Sequence, residues 1–218
     1  MRSLAGRRML RRVPQLLIGL FLYGIGIAFI VRGMLGAAPW DVLTQGIATH
    51  LPLSFGTITI VVSGIVLLMW IPLRQKPGIG TVLNALLVGP AADVGFLMIP
   101  ETDVLWLRVI FFAIGLTVLA AATGLYIGSH FGPGPRDGLM TGLHRVTGRP
   151  IWLVRTALEV LVVLVGWLLG GNVGLGTVAF ALLVGPMCQF FMRVFEVRLP
   201  GERLTRPDGD LRPDTVAG

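Results

Sequence analysis

The sequence predicts an all-α membrane protein of six transmembrane helices, arranged as two inverted three-helix repeats, each with a short re-entrant or interfacial helix. Composition is the first observation behind this. Of 218 residues, 54% are hydrophobic and 13% charged, with mean hydropathy +0.82, whereas a soluble domain carries about 25% charged residues. The second is self-similarity. Adding 96 to Gly36, Pro39 and Asp41 gives Gly132, Pro135 and Asp137, and the same offset maps Leu86-Leu87-Val88-Gly89-Pro90 onto Leu182-Leu183-Val184-Gly185-Pro186. An ungapped offset held over most of a chain means one unit used twice. Third, the charges sit at the ends of apolar runs, with a sidedness that sets orientation.

Residues 1–13 hold Arg2, Arg7, Arg8, Arg11 and Arg12 and no acid, and Leu16–Val31 is the first apolar run. An Arg-rich start before an apolar run also suits a signal peptide. The offset argues for an uncleaved helix, since Ile18-Gly19-Leu20 recurs as Ile114-Gly115-Leu116. Repeat 1 covers 14–100. Its short segment runs from Gly36 to His50, its second span from Thr57 to Leu73 and its third from Gly80 to Ile99. Repeat 2, over 104–196, follows the same plan: a span at Leu105–Ile127, a short segment at Gly132–Val146, then spans at Trp152–Leu169 and Leu175–Phe195. Residues 197–218 are polar and proline-bearing, and read as a flexible cytoplasmic tail.

With the amino terminus inside, Arg74, Lys76, Arg136, Arg145, Arg149 and the tail arginines are cytoplasmic, while Glu101 and Asp103 fall outside. That split obeys the positive-inside rule and places both termini in the cytoplasm of a bacterial inner membrane. An odd number of spans per repeat turns the second repeat upside down relative to the first. The two short segments then either dip in from opposite faces or lie flat as amphipathic connectors; periodicity does not separate these arrangements.

Asp41 and Asp137 form the sharpest pair of candidates. Each follows a proline turn, where a carboxylate can cap a helix by accepting backbone N–H bonds. The same carboxylates could face a midplane site and hold a proton, a cation or a solute amine. Their neighbours Trp40 and Arg136 are secondary candidates. Arg155 and Glu159 stand four apart on one helix face, and Thr59 and Ser63 hold the matching positions of repeat 1. An intramembrane ion pair marks a substrate contact or a structural lock, and Arg155, close to Trp152, also has the option of snorkelling to the interface. Asp93 and Gln189, again 96 apart, follow Gly-Pro pairs that should kink or break the third and sixth spans. There they would line the pathway or satisfy backbone groups freed by the kink.

Catalytic signatures do not appear. No histidine pair flanks a glutamate at zinc-site spacing, and no Gly-x-Ser-x-Gly elbow occurs. The reading is therefore not an enzyme, with no catalytic residue, metal or cofactor. Despite a +7 net charge, no basic face with interleaved aromatics points to nucleic acid. The expected partners are the lipid bilayer and an unknown small solute, with room for a homo-oligomer. Cys188, the single cysteine, excludes an internal disulfide and reads as a small core residue.

The Arg-rich start, the Gly-x-Gly first span, Gly36-Ala37-Ala38-Pro39-Trp40-Asp41-Val42-Leu43, Ile71-Pro72-Leu73-Arg74-Gln75-Lys76-Pro77-Gly78 and the repeated Leu-Leu-Val-Gly-Pro together resemble the YczE/YyaS/YitT group of bacterial integral membrane proteins. The likeness covers roughly 10–197 and is strongest to the YczE-like branch. It implies a multi-pass inner-membrane protein and supplies no catalytic residues. From the residues themselves we expect a transporter or channel-like protein with its pathway between the repeats. The alternatives are a scaffold for a partner complex and a lipid-handling, flippase-like protein.

Overall fold

The structure, a computed structural model, describes residues 2–195, with side chains from residue 11 onward. The tail expected over 197–218 and the arginine side chains of the first ten residues lie outside the described residues. The described chain is all helix: α1 Arg2–Arg32, α2 Pro39–Ala48, α3 Phe55–Met69, α4 Ile79–Met98, α5 Leu105–Gly128, α6 Pro135–Thr147, α7 Ile151–Leu168 and α8 Leu175–Phe195. Five helices are long and apolar enough to cross a bilayer, namely α1 from Arg11 onward, α4, α5, α7 and α8.

The expected second span is the exception. Instead of Thr57–Leu73, α3 has 15 residues, or about 22 Å, against a hydrocarbon core of about 30 Å. Two features stop it. Pro72 has no N–H and disfavours helical backbone at Ile71. In addition, Trp70 turns inward, 2% exposed, and its Nε1–H donates to the Pro135 carbonyl at 3.0 Å.

Helices α1 and α5 run antiparallel through the centre, and glycine lets their backbones touch. A methyl on Gly19 would lie 2.9 Å from the Tyr126 amide nitrogen, and one on Gly115 2.7 Å from that of Ile30. Each of these two contacts is the other shifted by 96. Such small-residue contacts drive helix association where no hydrophobic effect operates. Around this pair, α4 lies against α1 and α8 against α5, α2 packs mainly on α7, and α6 is shared between α3 and α7. Leu20, Ile27, Ile30, Leu116 and Leu119 fill the centre. Trp40, Ile58, Val66, Trp70 and Leu139 make a second cluster under the short helices.

The breaks before α2 and α6 share one geometry. Met34 and His130 have φ 51° and 55°, and Gly36 and Gly132 have φ 118° and 117°, values at which a side chain is strained. The two breaks are then stitched crosswise: the Gly176 N–H donates to the Leu35 carbonyl at 2.7 Å, and the Gly80 N–H to the Phe131 carbonyl at 2.9 Å.

Three expectations need correction. Asp41 and Asp137 are not helix N-caps. Pro39 and Pro135 take the first helical position, which suits a residue without an N–H, so Ala38 and Gly134 become the caps. Nor do the Gly-Pro pairs break their spans, because α4 continues through Pro90 and α8 through Pro186. Asp93, finally, serves another helix. It accepts from Ser54 Oγ at 2.6 Å and from the Gly56 N–H at 2.8 Å, two groups at the orphaned start of α3.

Candidate functional site

The first turns of α2 and α6 meet inside the helix bundle. Arg136, from α6, reaches across to Asp41 on α2 with Nη1–Oδ1 at 3.5 Å, and its guanidinium lies 5.3 Å from the centre of the Trp40 ring. Asp41 is 1% exposed and has Arg136 as its one side-chain partner. A carboxylate buried that deeply persists only when paired. Trp40 and Arg136, 96 apart in sequence, thus stack on each other.

Asp137 takes the other role. It accepts from the Tyr126 hydroxyl at 3.1 Å and, unlike Asp41, is exposed, because it faces a cavity of about 290 Å³. Trp40, Arg136, Arg155, Glu159, Gln189 and Cys188 also line this cavity. Arg155 Nε bonds Glu159 Oε1 at 2.8 Å, the i,i+4 pair expected from the sequence, with Arg155 51% and Glu159 23% exposed. The pair therefore stands at the cavity's mouth. A second, smaller chamber of about 50 Å³ lies on the other side of Arg136 and Asp137, lined by Thr59, Ser63 and Asn84. Thr59 and Ser63 are buried, and Thr59 Oγ1 donates back to the Phe55 carbonyl.

Of the predicted residues, Trp40, Arg136, Asp137, Arg155, Glu159 and Gln189 share the main cavity, and Thr59 and Ser63 share the small chamber. Asp41 reaches the site through Arg136, and Asp93 stands apart at the start of α3. Sequence reasoning missed Tyr23 and Tyr126, which pack edge to face at 5.9 Å and border both spaces. One sign was available: the chain has 2 tyrosines, both inside apolar runs. Cys188, expected in the core, lines the cavity. One donor remains unanswered. Trp40 is 8% exposed and its Nε1–H has no partner, a costly condition for a buried polar group. The site as a whole offers opposite charges and neutral donors within an apolar shell, which suits a small charged or zwitterionic group.

Helices of this length and composition around a charged interior define a multi-pass membrane protein. The chain belongs to the family of unknown function DUF6198, whose model matches residues 10–193. A protein of Haemophilus influenzae is 41% identical over 190 residues, 87% of each chain. The Bacillus subtilis membrane protein YczE is 29% identical over 174 residues, covering 79% of this chain and 81% of its own. YyaS of the same bacterium is 27% identical over 183 residues, covering 82% and 91%. The resemblance to the YczE-like branch is thereby upheld, and with it a bacterial membrane setting. No solved structure matches the chain.

Proposed function

We propose that this protein is a small-solute transporter whose pathway runs between two inverted repeats, residues 14–100 and 104–196, with both termini cytoplasmic. One observation carries the reading. The first turns of two short helices, one from each half, meet at one internal cavity: Trp40 from α2 and Arg136 and Asp137 from α6 line it, and Asp41 holds Arg136 from behind. Short helices ending near the middle of a bundle, with their termini at a polar site, are the hallmark of transporters built from inverted repeats. Burial of Pro39 to Val42, Thr44 and Gly46 in α2 supports a re-entrant helix over one lying flat.

Topology is tested by cysteine labelling in intact cells, in a Cys188→Ser background. Lys76→Cys and Arg149→Cys are expected to react with an impermeant thiol reagent only after lysis, and Val104→Cys from outside. Labelling of all three from one side sinks the inverted arrangement. In proteoliposomes screened against amino acids and betaines, Asp137→Asn is expected to insert normally and lose uptake. Wild-type uptake by that variant sinks the site assignment.

A further inference from the structure

We propose that the groove between α7 and α8 takes the tail of a membrane lipid whose zwitterionic, amine-bearing headgroup enters the central cavity. This names a substrate class for the site above. It rests on the cavity being a ligand site and not on the inverted topology.

The argument begins with the two helices. α7 and α8 scarcely touch, and the space between them is a groove of about 690 Å³ with walls of Val160, Leu164, Trp167, Val178 and Leu182. That volume falls within the ordinary range for small-molecule sites. A side chain on Gly185 would meet no atom within 4 Å. The groove is apolar along its length and charged at one end, where Arg155 and Glu159 stand. Pro39, Arg155, Glu159 and Gly185 line both the groove and the central cavity, so the two spaces are continuous. An occupant that fits both is apolar at one end and polar at the other. The walls of the groove are exposed apolar residues of two helices long and apolar enough to span, so such a molecule would enter from the bilayer without crossing water.

Charge then selects the head. Around the cavity, Arg136 and Arg155 face Asp41, Asp137 and Glu159, two guanidinium groups against three carboxylates. Asp41 and Glu159 are each paired with an arginine, which leaves Asp137 supported by the neutral Tyr126 hydroxyl. An ammonium complements Asp137, and it is a charge-assisted donor to that carboxylate. The guanidinium groups of Arg136 and Arg155, which line the cavity, suit the opposite, a phosphate oxygen. A headgroup carrying both a phosphate and an amine satisfies the two at once.

The test measures binding, not flux. Detergent-purified, delipidated protein is incubated with phosphatidylethanolamine or with phosphatidylglycerol of the same acyl chains, and retained lipid is counted by native mass spectrometry. Wild type is expected to retain one ethanolamine lipid in preference to glycerol lipid. Gly185→Leu, which fills the groove, and Asp137→Asn, which removes the ammonium's partner, are each expected to cut retention about tenfold. Gly64→Leu is the control, since Gly64 also has open space around it but lies on α3; its retention should match wild type. Equal retention of the two lipids, or wild-type retention by Gly185→Leu, overturns the proposal. Lost retention with the labelling pattern intact leaves transport standing. Retention with the labelling pattern broken leaves the lipid site standing.

Discussion

Between α3 and α4, Gly56 and Gly89 bring two backbones together, and Asp93 reaches across to hold Ser54 and the Gly56 amide. Between α7 and α8 the residues 96 positions further on are Trp152 for Gly56, Pro150 for Ser54 and Gln189 for Asp93. Gly185 keeps the place of Gly89 but faces open space. Three substitutions thus convert a closed seam into an open one on the same frame. The wide indole prevents the backbone approach, proline has no hydroxyl to offer, and Gln189 has no carboxylate with which to latch the start of α7. In a duplicated chain, positions that keep their residue mark what both halves need, and positions that diverge mark where the halves do different work. Here the divergence falls beside the charged cavity.

The sharpest way to break this comparison is to put the same side chain on both seams. Gly89→Leu forces atoms into the Gly56 backbone, and overpacking of that kind costs about 3 kcal/mol. A large drop in the detergent melting temperature is the expected result. Gly185→Leu should match or slightly exceed wild type, because leucine favours helix by about 1 kcal/mol over glycine. Equal losses in both variants would mean the α7–α8 seam is closed in the membrane. A smaller effect follows from Asp93→Ala, which strips the start of α3 of an acceptor for two donors at a cost of about 1–2 kcal/mol. Gln189→Ala should leave the melting temperature unchanged, and a matching loss there would reveal a second latch. The smallest effect belongs to the half-exposed Arg155–Glu159 pair on the open side. Arg155→Gln is expected to cost about 0.5 kcal/mol, so a loss of several times that would show the pair to be a structural lock.

The long helices and both short ones were legible because their cause is local: apolar runs of the right length, a proline at each short helix's start, and a repeat that reports each feature twice. α8 spans Leu175–Phe195 as expected. α3 is shorter than its apolar run because Trp70, apolar by composition, turns inward to a distant partner for its indole N–H, the Pro135 carbonyl. The site was half legible for the same reason. Arg155 with Glu159 is a contact within one helix and could be read from spacing. Arg136 with Asp41 joins residues 95 apart, and Asp93 with Gly56 spans two helices. Equivalence by repeat says that such positions correspond, and says nothing about which of them touch. The expected carboxylate pair illustrates this. Asp41 is sealed against an arginine while Asp137 faces open space, a difference set by one residue apiece, Trp40 against Arg136.

The crosswise bonds at the two chain breaks bear on how the molecule is made. The Leu35 carbonyl receives its hydrogen bond from Gly176, and the Phe131 carbonyl from Gly80. As the chain leaves the ribosome, the turn before α2 has its local bond, from the Met34 N–H to the Val31 carbonyl, but the Leu35 carbonyl waits for its donor until the start of α8 has been synthesised. Until then the first half carries an unanswered backbone acceptor, a group that needs a protein partner wherever water is excluded. The fold of the first half is thus completed late, at the start of α8 and again at its end, where the Phe195 carbonyl accepts from Gln15 Nε2 at 2.9 Å, and a chain stopped before Gly176 lacks both partners.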